Sequence, residues 1–162
     1  MRSIFLMTLG ALALTACGGP AETPEATASE VASTPLSADA FGVSDAYVRQ
    51  PFGGQTTTAA YFLLSSTADR DAEIVGVSAD KAGTAELHQH IMSDGMMKMR
   101  RVEKVSVPAN GSVEFSSGGY HVMMFNVTDP LEAGNVVEIT LDIASGGDTM
   151  EISFPATVRA PG

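Results

Sequence analysis

Imidazole and thioether side chains are concentrated in two short stretches of this 162-residue sequence. Residues 88–101 read HQHIMSDGMMKMRR and residues 118–124 read GGYHVMM; together they hold all three histidines and six of the nine methionines. Imidazole and thioether donors together suit a copper ion, and thioethers favour soft Cu(I). Magnesium and calcium prefer oxygen donors, whereas a structural zinc site more often uses thiolates. The two stretches therefore predict a copper site.

Each of these residue types alone has a simpler explanation. A single methionine in a strand commonly fills the core, and a single strand histidine is commonly a hydrogen-bonded surface or core residue. Here, however, every histidine lies two residues from another histidine or a methionine. That spacing places both side chains on the same face of a strand. The joint pattern favours metal binding over either simple explanation.

The first stretch is typical of a β-hairpin, because Asp94-Gly95 is a strong signal for a two-residue turn between alternating segments. This turn would pair Met92 with Met97, His90 with Met99, His88 with Arg101 and Leu87 with Val102, whereas a longer loop would shift the register. One face then carries His88, His90, Met92, Met97 and Met99. The other face carries Gln89, Ile91, Lys98 and Arg100, which suit a core poorly. We therefore expect the hairpin tip to project beyond the packed domain, with Leu87 and Val102 as core anchors at its base.

The second stretch predicts a strand in which His121 and Met123 share one face. Val122 and Met124 point to the other face, where they can pack in the core. His121 and Met123 would then offer one nitrogen and one sulfur donor to the same ion.

The rest of the domain predicts short strands separated by Gly, Asn, Asp and Pro, with no helical period of useful length. The candidate strands are 41–48, 58–65, 72–79, 84–92, 97–105, 112–116, 119–127, 136–143 and 149–154. Many short strands at this spacing indicate a single all-β domain, an antiparallel β-sandwich, over residues 39–159.

The N-terminal residues predict export and lipid attachment. Residues 1–16 have the pattern of a secretory signal peptide, with an apolar run too short for a stable membrane span. Residues 14–17 read LTAC, which resembles the lipobox of bacterial lipoproteins. The resemblance implies that Cys17 is the acylated first residue of the mature chain. Residues 17–38 are rich in Pro, Ala, Ser, Thr and Glu and predict a disordered tether. Gly18 and Gly19 follow Cys17 where an aspartate would resemble an inner-membrane retention signal, so the sequence leans towards the outer membrane.

Charge and cysteine content exclude several other functions. Removal of Arg2 with the signal peptide leaves eight basic against nineteen acidic residues, a net charge of −11, which does not suit a nucleic-acid-binding protein. Cys17 is the only cysteine, so the domain has neither a disulfide nor the thiolate that a blue-copper site requires. No nucleophile–base arrangement indicates an enzyme. Four of the eight basic residues cluster near Met99, either as a solvated surface or as a docking rim for an acidic partner: Lys98, Arg100, Arg101 and Lys104.

The spacing of the donors resembles the signature of the periplasmic copper chaperones known as PCu(A)C proteins. His88 is followed by ten residues, Met99, twenty-one residues, His121, one residue and Met123, giving H-x10-M-x21-H-x-M. The words AELHQHIMSDGMMKMR, VPANGSVEF and GGYHVMMFNV match as well, so that the resemblance covers nearly all of residues 39–157.

The resemblance implies a cupredoxin-like, Greek-key β-sandwich that binds one Cu(I) through His88, Met99, His121 and Met123. His90 and Met92 are outside this signature and are auxiliary candidates only. In that family the ion is carried towards the binuclear copper site of cytochrome c oxidase, often alongside a Sco-type thiol protein. Some relatives bind Cu(II) in a histidine- and methionine-rich C-terminal extension, but no histidine follows His121 here. Two alternatives stay open: a lipoprotein for copper storage or resistance, and a protein-interaction module in which the methionines form an exposed apolar patch.

Overall fold

The computed structural model describes residues 36–93, 95–128 and 130–160. The predicted signal peptide, Cys17 and most of the predicted tether lie outside these residues, as does Asp94 of the predicted turn. Within the described ranges, no helix is both long and apolar enough to cross a membrane.

In the described part of the chain, ten strands form one hydrogen-bonded sheet, preceded by a 3-10 turn at Ala38–Ala40. The strands are β1 (Phe41–Arg49), β2 (Thr58–Ser66), β3 (Ala72–Ala79), β4 (Ala82–Ser93), β5 (Met96–Arg101), β6 (Val105–Val107), β7 (Ser112–Phe115), β8 (Tyr120–Val127), β9 (Val136–Ser145) and β10 (Asp148–Arg159). Their order across the sheet is β5-β4-β8-β7-β2-β1-β10-β9-β3-β6, with a further pairing of β8 to β2. The all-β prediction is confirmed.

The sheet folds over on itself around one hydrophobic core. β3 and β4 are separated by only two residues in the chain, yet they lie near opposite ends of the strand order. Val107 in the terminal strand β6 and Leu87 in β4, near the other end, belong to the same buried cluster. Because strands from both ends of the order share one core, the sheet forms two packed layers, and the predicted sandwich is confirmed.

Most neighbouring strands are antiparallel, as predicted, but two pairings are parallel. β1 runs parallel to β10, with Tyr47 beside Thr157, and β7 meets β8 in parallel at Phe115 and Tyr120. β7 and β8, which are joined by only four residues, meet at this one residue pair. An extended parallel pairing needs a long connection between its strands. For β1 and β10 that connection is the rest of the domain, which local sequence patterns do not reveal.

The single strand predicted at 97–105 is wrong, because two strands lie there. β5 ends at Arg101 and β6 begins at Val105, and the two occupy opposite ends of the strand order. Val105 and Val107 are buried, whereas every residue of β5 except Lys98 is exposed. The chain therefore leaves the edge strand and enters the other layer to bury its valines, and this burial outweighs the continuous β propensity of the segment.

Candidate copper site

The three strands at one end of the sheet bring the predicted donors together. β4 pairs with β5 in the predicted register, with His90 opposite Met99 and Met92 opposite Met97. The Val102 backbone N–H donates to the Leu87 carbonyl at 2.9 Å, which confirms the base of the hairpin. At the turn, Gly95 has a φ of 75°, a left-handed conformation that glycine adopts without strain.

The other edge of β4 pairs with β8, and this pairing completes the donor set. His88 lies directly opposite His121, and Glu86 lies opposite Met123. Directly opposed residues in a sheet point to the same face. All four residues of the predicted Cu(I) motif therefore share one face of three adjacent strands, and so do His90, Met92 and Met97. Their binding of copper stays a prediction.

His121 is buried and His88 and His90 are half-buried, whereas the methionines of the hairpin are exposed. His121 is only 1% exposed, whereas Met99 is 46% and Met92 is 67% exposed. On the opposite face Val122 and Met124 are fully buried in the core, as predicted. The site thus runs from a closed histidine end to an open methionine end at the edge strand.

Hydrogen bonds fix which nitrogen of two of the rings is available to a metal. Nδ1 of His121 lies 3.2 Å from the Gly119 carbonyl oxygen, which can only accept, so Nδ1 carries the proton and Nε2 keeps its lone pair. Nε2 of His88 lies 2.9 Å from the Glu86 carboxylate, so Nε2 is the donor and Nδ1 keeps the lone pair. Such a bond from the second nitrogen is the usual way in which a protein orients a metal-binding histidine.

Three of the remaining ring nitrogens are buried without hydrogen-bond partners. Among the described residues these atoms are Nδ1 of His88, Nδ1 of His90 and Nε2 of His121. An unsatisfied buried polar atom costs about 1–3 kcal/mol, and native proteins contain few of them. A cluster of three therefore fits residues that bind a ligand, and a metal ion would satisfy all three lone pairs.

The histidine rings lie close together, but in their present orientation they do not provide a complete coordination shell for a metal ion. The ring centres are 4.8 Å apart for His90 and His121, and 5.9 Å apart for His88 and His121. In the described part of the chain, no group of three His, Cys, Asp or Glu side chains is arranged to hold a metal ion. Thioether donors or a rotation of the rings must complete the coordination.

Burial lowers the pKa of His121, and the neighbouring His90 and His88 add to that effect against the opposing hydrogen bond to Gly119. The unfolded chain then takes up a proton at about pH 6.5 while the folded protein does not. We expect the unfolding free energy of the copper-free protein to fall as the pH drops from 7.5 to 5.5. Urea denaturation at both pH values measures it.

The control for this pH effect is His121→Asn, which removes the titrating ring but keeps a short amide N–H for the Gly119 carbonyl. The pH dependence should be weaker in this variant. An equal loss of stability in the variant and the parent would show that His121 is not responsible.

Glu86 is the functional residue that the sequence reasoning missed. One carboxylate oxygen contacts Nε2 of His88, and the other lies 3.4 Å from Nη1 of Arg101 across the hairpin. The available signal was its spacing: Glu86 precedes His88 by two residues and so shares its strand face. Glu86 and Arg101 together hold the His88 ring in place.

Glu86→Gln should lower Cu(I) affinity by roughly 10–100-fold, the usual effect of losing a partner that orients a metal ligand. The amide retains the size of the carboxylate but loses the charge that contacts Arg101 and His88. Competition with a Cu(I) chelator measures the change. The matched control is Glu73→Gln. Glu73 lies on β3, outside the three strands that carry the donors, and forms a 2.7 Å ion pair with Lys104. Equal losses in the two variants would rule out a specific role for Glu86.

Two residues of the basic cluster, Arg101 and Lys104, form ion pairs. Arg101 contacts Glu86 and Lys104 contacts Glu73. Lys98 and Arg100 lie on the face of β5 opposite Met99, as the hairpin register predicts. A docking rim would therefore be formed by the face of β5 that is opposite the donor face.

Comparisons with known proteins identify the family of this chain and agree with its fold. Residues 42–156 match the family described as "Putative lipoprotein LpqE-like". The "Putative lipoprotein Lxx21020" of Leifsonia xyli subsp. xyli is 30% identical over 119 residues, covering 73% of this chain and 70% of that protein.

Solved structures of copper-binding domains have the same fold. The Cu(I) form of DR1885 from Deinococcus radiodurans is 29% identical, with a TM-score of 0.55 over 84% of this chain and 86% of that one. The copper-bound PCuAC domain of PmoF2 is 24% identical, with a TM-score of 0.61 over 75% of this chain and 94% of that one. The predicted cupredoxin-like fold is confirmed. This chain belongs to the LpqE-like lipoprotein family, and its domain has the fold of the PCu(A)C copper-binding domains.

Proposed function

We propose that this protein is a periplasmic, lipid-anchored copper chaperone that binds one Cu(I) and delivers it to the binuclear copper site of cytochrome c oxidase. One observation carries the proposal. Three buried imidazole nitrogens without partners lie on the same strand face as Met99 and Met123. This arrangement supports a carrier of metal rather than an enzyme.

The donor set favours Cu(I) over divalent ions. His88, His121, Met99 and Met123 are neutral donors when the histidines are deprotonated, so they add no negative charge that would favour a divalent competitor. Thioether sulfur is a soft ligand that selects Cu(I). The likeness to DR1885, whose solved form contains Cu(I), supports the same choice of metal.

The burial gradient provides a route for release. Met99 lies on the edge strand and is 46% exposed, while His121 is 1% exposed. A ligand of the acceptor protein can therefore reach the copper from the Met99 side and replace that thioether first, while the half-buried His88 and the buried His121 still hold the ion. Stepwise exchange of this kind avoids releasing free copper into solution. A Sco-type thiol protein could act as a parallel donor or a relay.

A transfer experiment tests the proposed delivery. We expect the Cu(I)-loaded protein to pass copper to the copper-free domain of cytochrome c oxidase faster than a chelator of equal Cu(I) affinity does. Anaerobic mixing, followed by separation of the two proteins and copper analysis, measures the rate. Transfer no faster than from the chelator would favour the storage or resistance alternative.

The same experiment tests the basic rim. Reversal of Lys98 and Arg100 to Glu should slow transfer at low ionic strength, and the difference should shrink as salt rises, because salt screens exposed charges. Cu(I) affinity should change little, since both side chains point away from the donor face. Equal rates for the variant and the parent at every salt concentration would reduce these charges to a solvated surface.

A further inference from the structure

The site contains more nitrogen donors than the Cu(I) motif uses. The motif includes two imidazoles, His88 and His121, yet His90 also has a buried Nδ1 without a hydrogen-bond partner. The His90 ring stacks on the His121 ring at 4.8 Å with an interplanar angle of 28°. The Gly119 carbonyl accepts both the His90 backbone N–H at 3.1 Å and Nδ1–H of His121 at 3.2 Å. His90 is therefore fixed beside His121 through its backbone as well as its ring.

Two of the ring separations, those from His121 to each of the other two histidines, are compatible with one shared ion. An imidazole nitrogen about 2 Å from a transition metal places the ring centre about 3 Å from it, so two rings on one ion lie roughly 4.5–6.4 Å apart. The pairs His90–His121 and His88–His121 are separated by 4.8 and 5.9 Å. The histidine ring torsion is broad, so the His90 ring, whose Nδ1 has no hydrogen-bond partner, can turn this nitrogen towards the unpartnered nitrogens of His88 and His121 while their own hydrogen bonds are kept.

Three imidazoles suit a different oxidation state from the one that the methionines select. Cu(II) prefers nitrogen and oxygen donors in a tetragonal arrangement, whereas thioethers favour Cu(I). We propose that His88, His90 and His121 form a three-nitrogen binding mode for Cu(II), in which His90 takes the place that the thioethers have in the Cu(I) mode. The proposal rests on the proposed function, because the two modes share His88 and His121. It concerns binding of each oxidation state and includes no electron transfer.

The arrangement of strands makes this exchange of ligands local. His90 and Met99 are directly opposite each other on β4 and β5, so one cross-strand pair provides both the third nitrogen and one of the sulfurs. An ion held by His88 and His121 would engage one member of this pair or the other.

The test uses the complete lipid-anchored protein in detergent and titrates it with Cu(II) and, separately and anaerobically, with Cu(I). In the parent, the electron paramagnetic resonance spectrum of the Cu(II) form should show coupling to three nitrogen nuclei. His90→Gln should reduce this number to two and lower Cu(II) affinity by more than about tenfold, since a direct ligand should matter at least as much as the partner of a ligand. Its effect on Cu(I) affinity should be smaller, because the thioethers complete that donor set.

A double variant provides the matched control. His90→Gln combined with Gln89→His keeps three histidines and the overall composition, but it moves one imidazole to the opposite face of β4. If the position of His90 matters, this swap should bind Cu(II) as weakly as His90→Gln alone. Circular dichroism shows whether both variants remain folded.

The outcomes separate this inference from the proposed function. Tight Cu(I) binding with unchanged Cu(II) affinity and spectrum in His90→Gln would overturn the three-nitrogen mode and leave the chaperone proposal intact. Restoration of Cu(II) binding by the swap would also overturn it. Three-nitrogen Cu(II) binding without tight Cu(I) binding would support the inference and contradict the proposed function.

Discussion

Replacing Met99 or Met123 with leucine lowers Cu(I) affinity by more than about 100-fold, beyond the roughly 10–100-fold effect of losing a partner of a ligand. Leucine retains the apolar bulk of methionine but has no sulfur lone pair. Met99 is 46% exposed on an edge strand, so its replacement should change the unfolding free energy by less than about 0.5 kcal/mol. Anaerobic competition with a chromophoric chelator measures the affinity, and thermal unfolding confirms the fold.

Met97→Leu is the matched control for these variants. Met97 lies on the same strand and face as Met99, two residues away, and is 63% exposed. It is outside the predicted ligand set, so its replacement should leave Cu(I) affinity close to that of the parent. Parent-like affinity in the Met99 and Met123 variants, or an equal loss in the Met97 variant, would contradict the assignment of the sulfur ligands.

Cys17→Ser abolishes lipid attachment, because acylation of the mature N-terminus requires the cysteine sulfur. Cys17 lies outside the described residues, so this expectation rests on the LTAC sequence and on membership of a family described as lipoproteins. The variant should remain unprocessed or become soluble, whereas the parent partitions with membranes. Fractionation of cells and mass measurement of the N-terminus distinguish these states.

Copper binding is the control for the Cys17 variant, since every donor of the site lies between His88 and Met123. Its Cu(I) affinity should match that of the parent. A mature variant that still sediments with membranes would show that another element provides the tether.

The hairpin could be predicted from sequence because its determinants are local. The Asp94-Gly95 sequence predicts a two-residue turn, and a turn of that length predicts the register in which His90 lies opposite Met99, as it does in the structure. The alternation in the second stretch likewise predicts that Val122 enters the core while His121 lies on the other face. Both assignments depend only on residues within about ten positions of each other.

The pairing of β4 with β8 could not be derived in the same way. His88 and His121 are separated by thirty-two other residues, and three strands lie between their strands in the chain. The motif spacing implied that these residues converge, but only the fold places them directly opposite each other. The break after Arg101 was missed for a related reason, because burial of Val105 and Val107 in the other layer is a tertiary effect.

Glu86 illustrates what a ligand motif omits. Its carboxylate contacts His88 and Arg101, two residues that the sequence analysis had already placed opposite each other. The strand spacing places Glu86 on the donor face. The chain has nineteen acidic residues, however, and the sequence does not indicate which of them contacts a histidine. Only the side-chain positions in the structure show that the Glu86 carboxylate contacts the His88 ring.

Anaerobic Cu(I) titration of the purified protein tests the central proposal most directly. The protein should remove one equivalent of Cu(I) from a chromophoric chelator, and X-ray absorption of the loaded form should show both nitrogen and sulfur ligands. Failure to compete for Cu(I), or a Cu(I) complex without sulfur ligation, would contradict a copper site formed by His88, Met99, His121 and Met123.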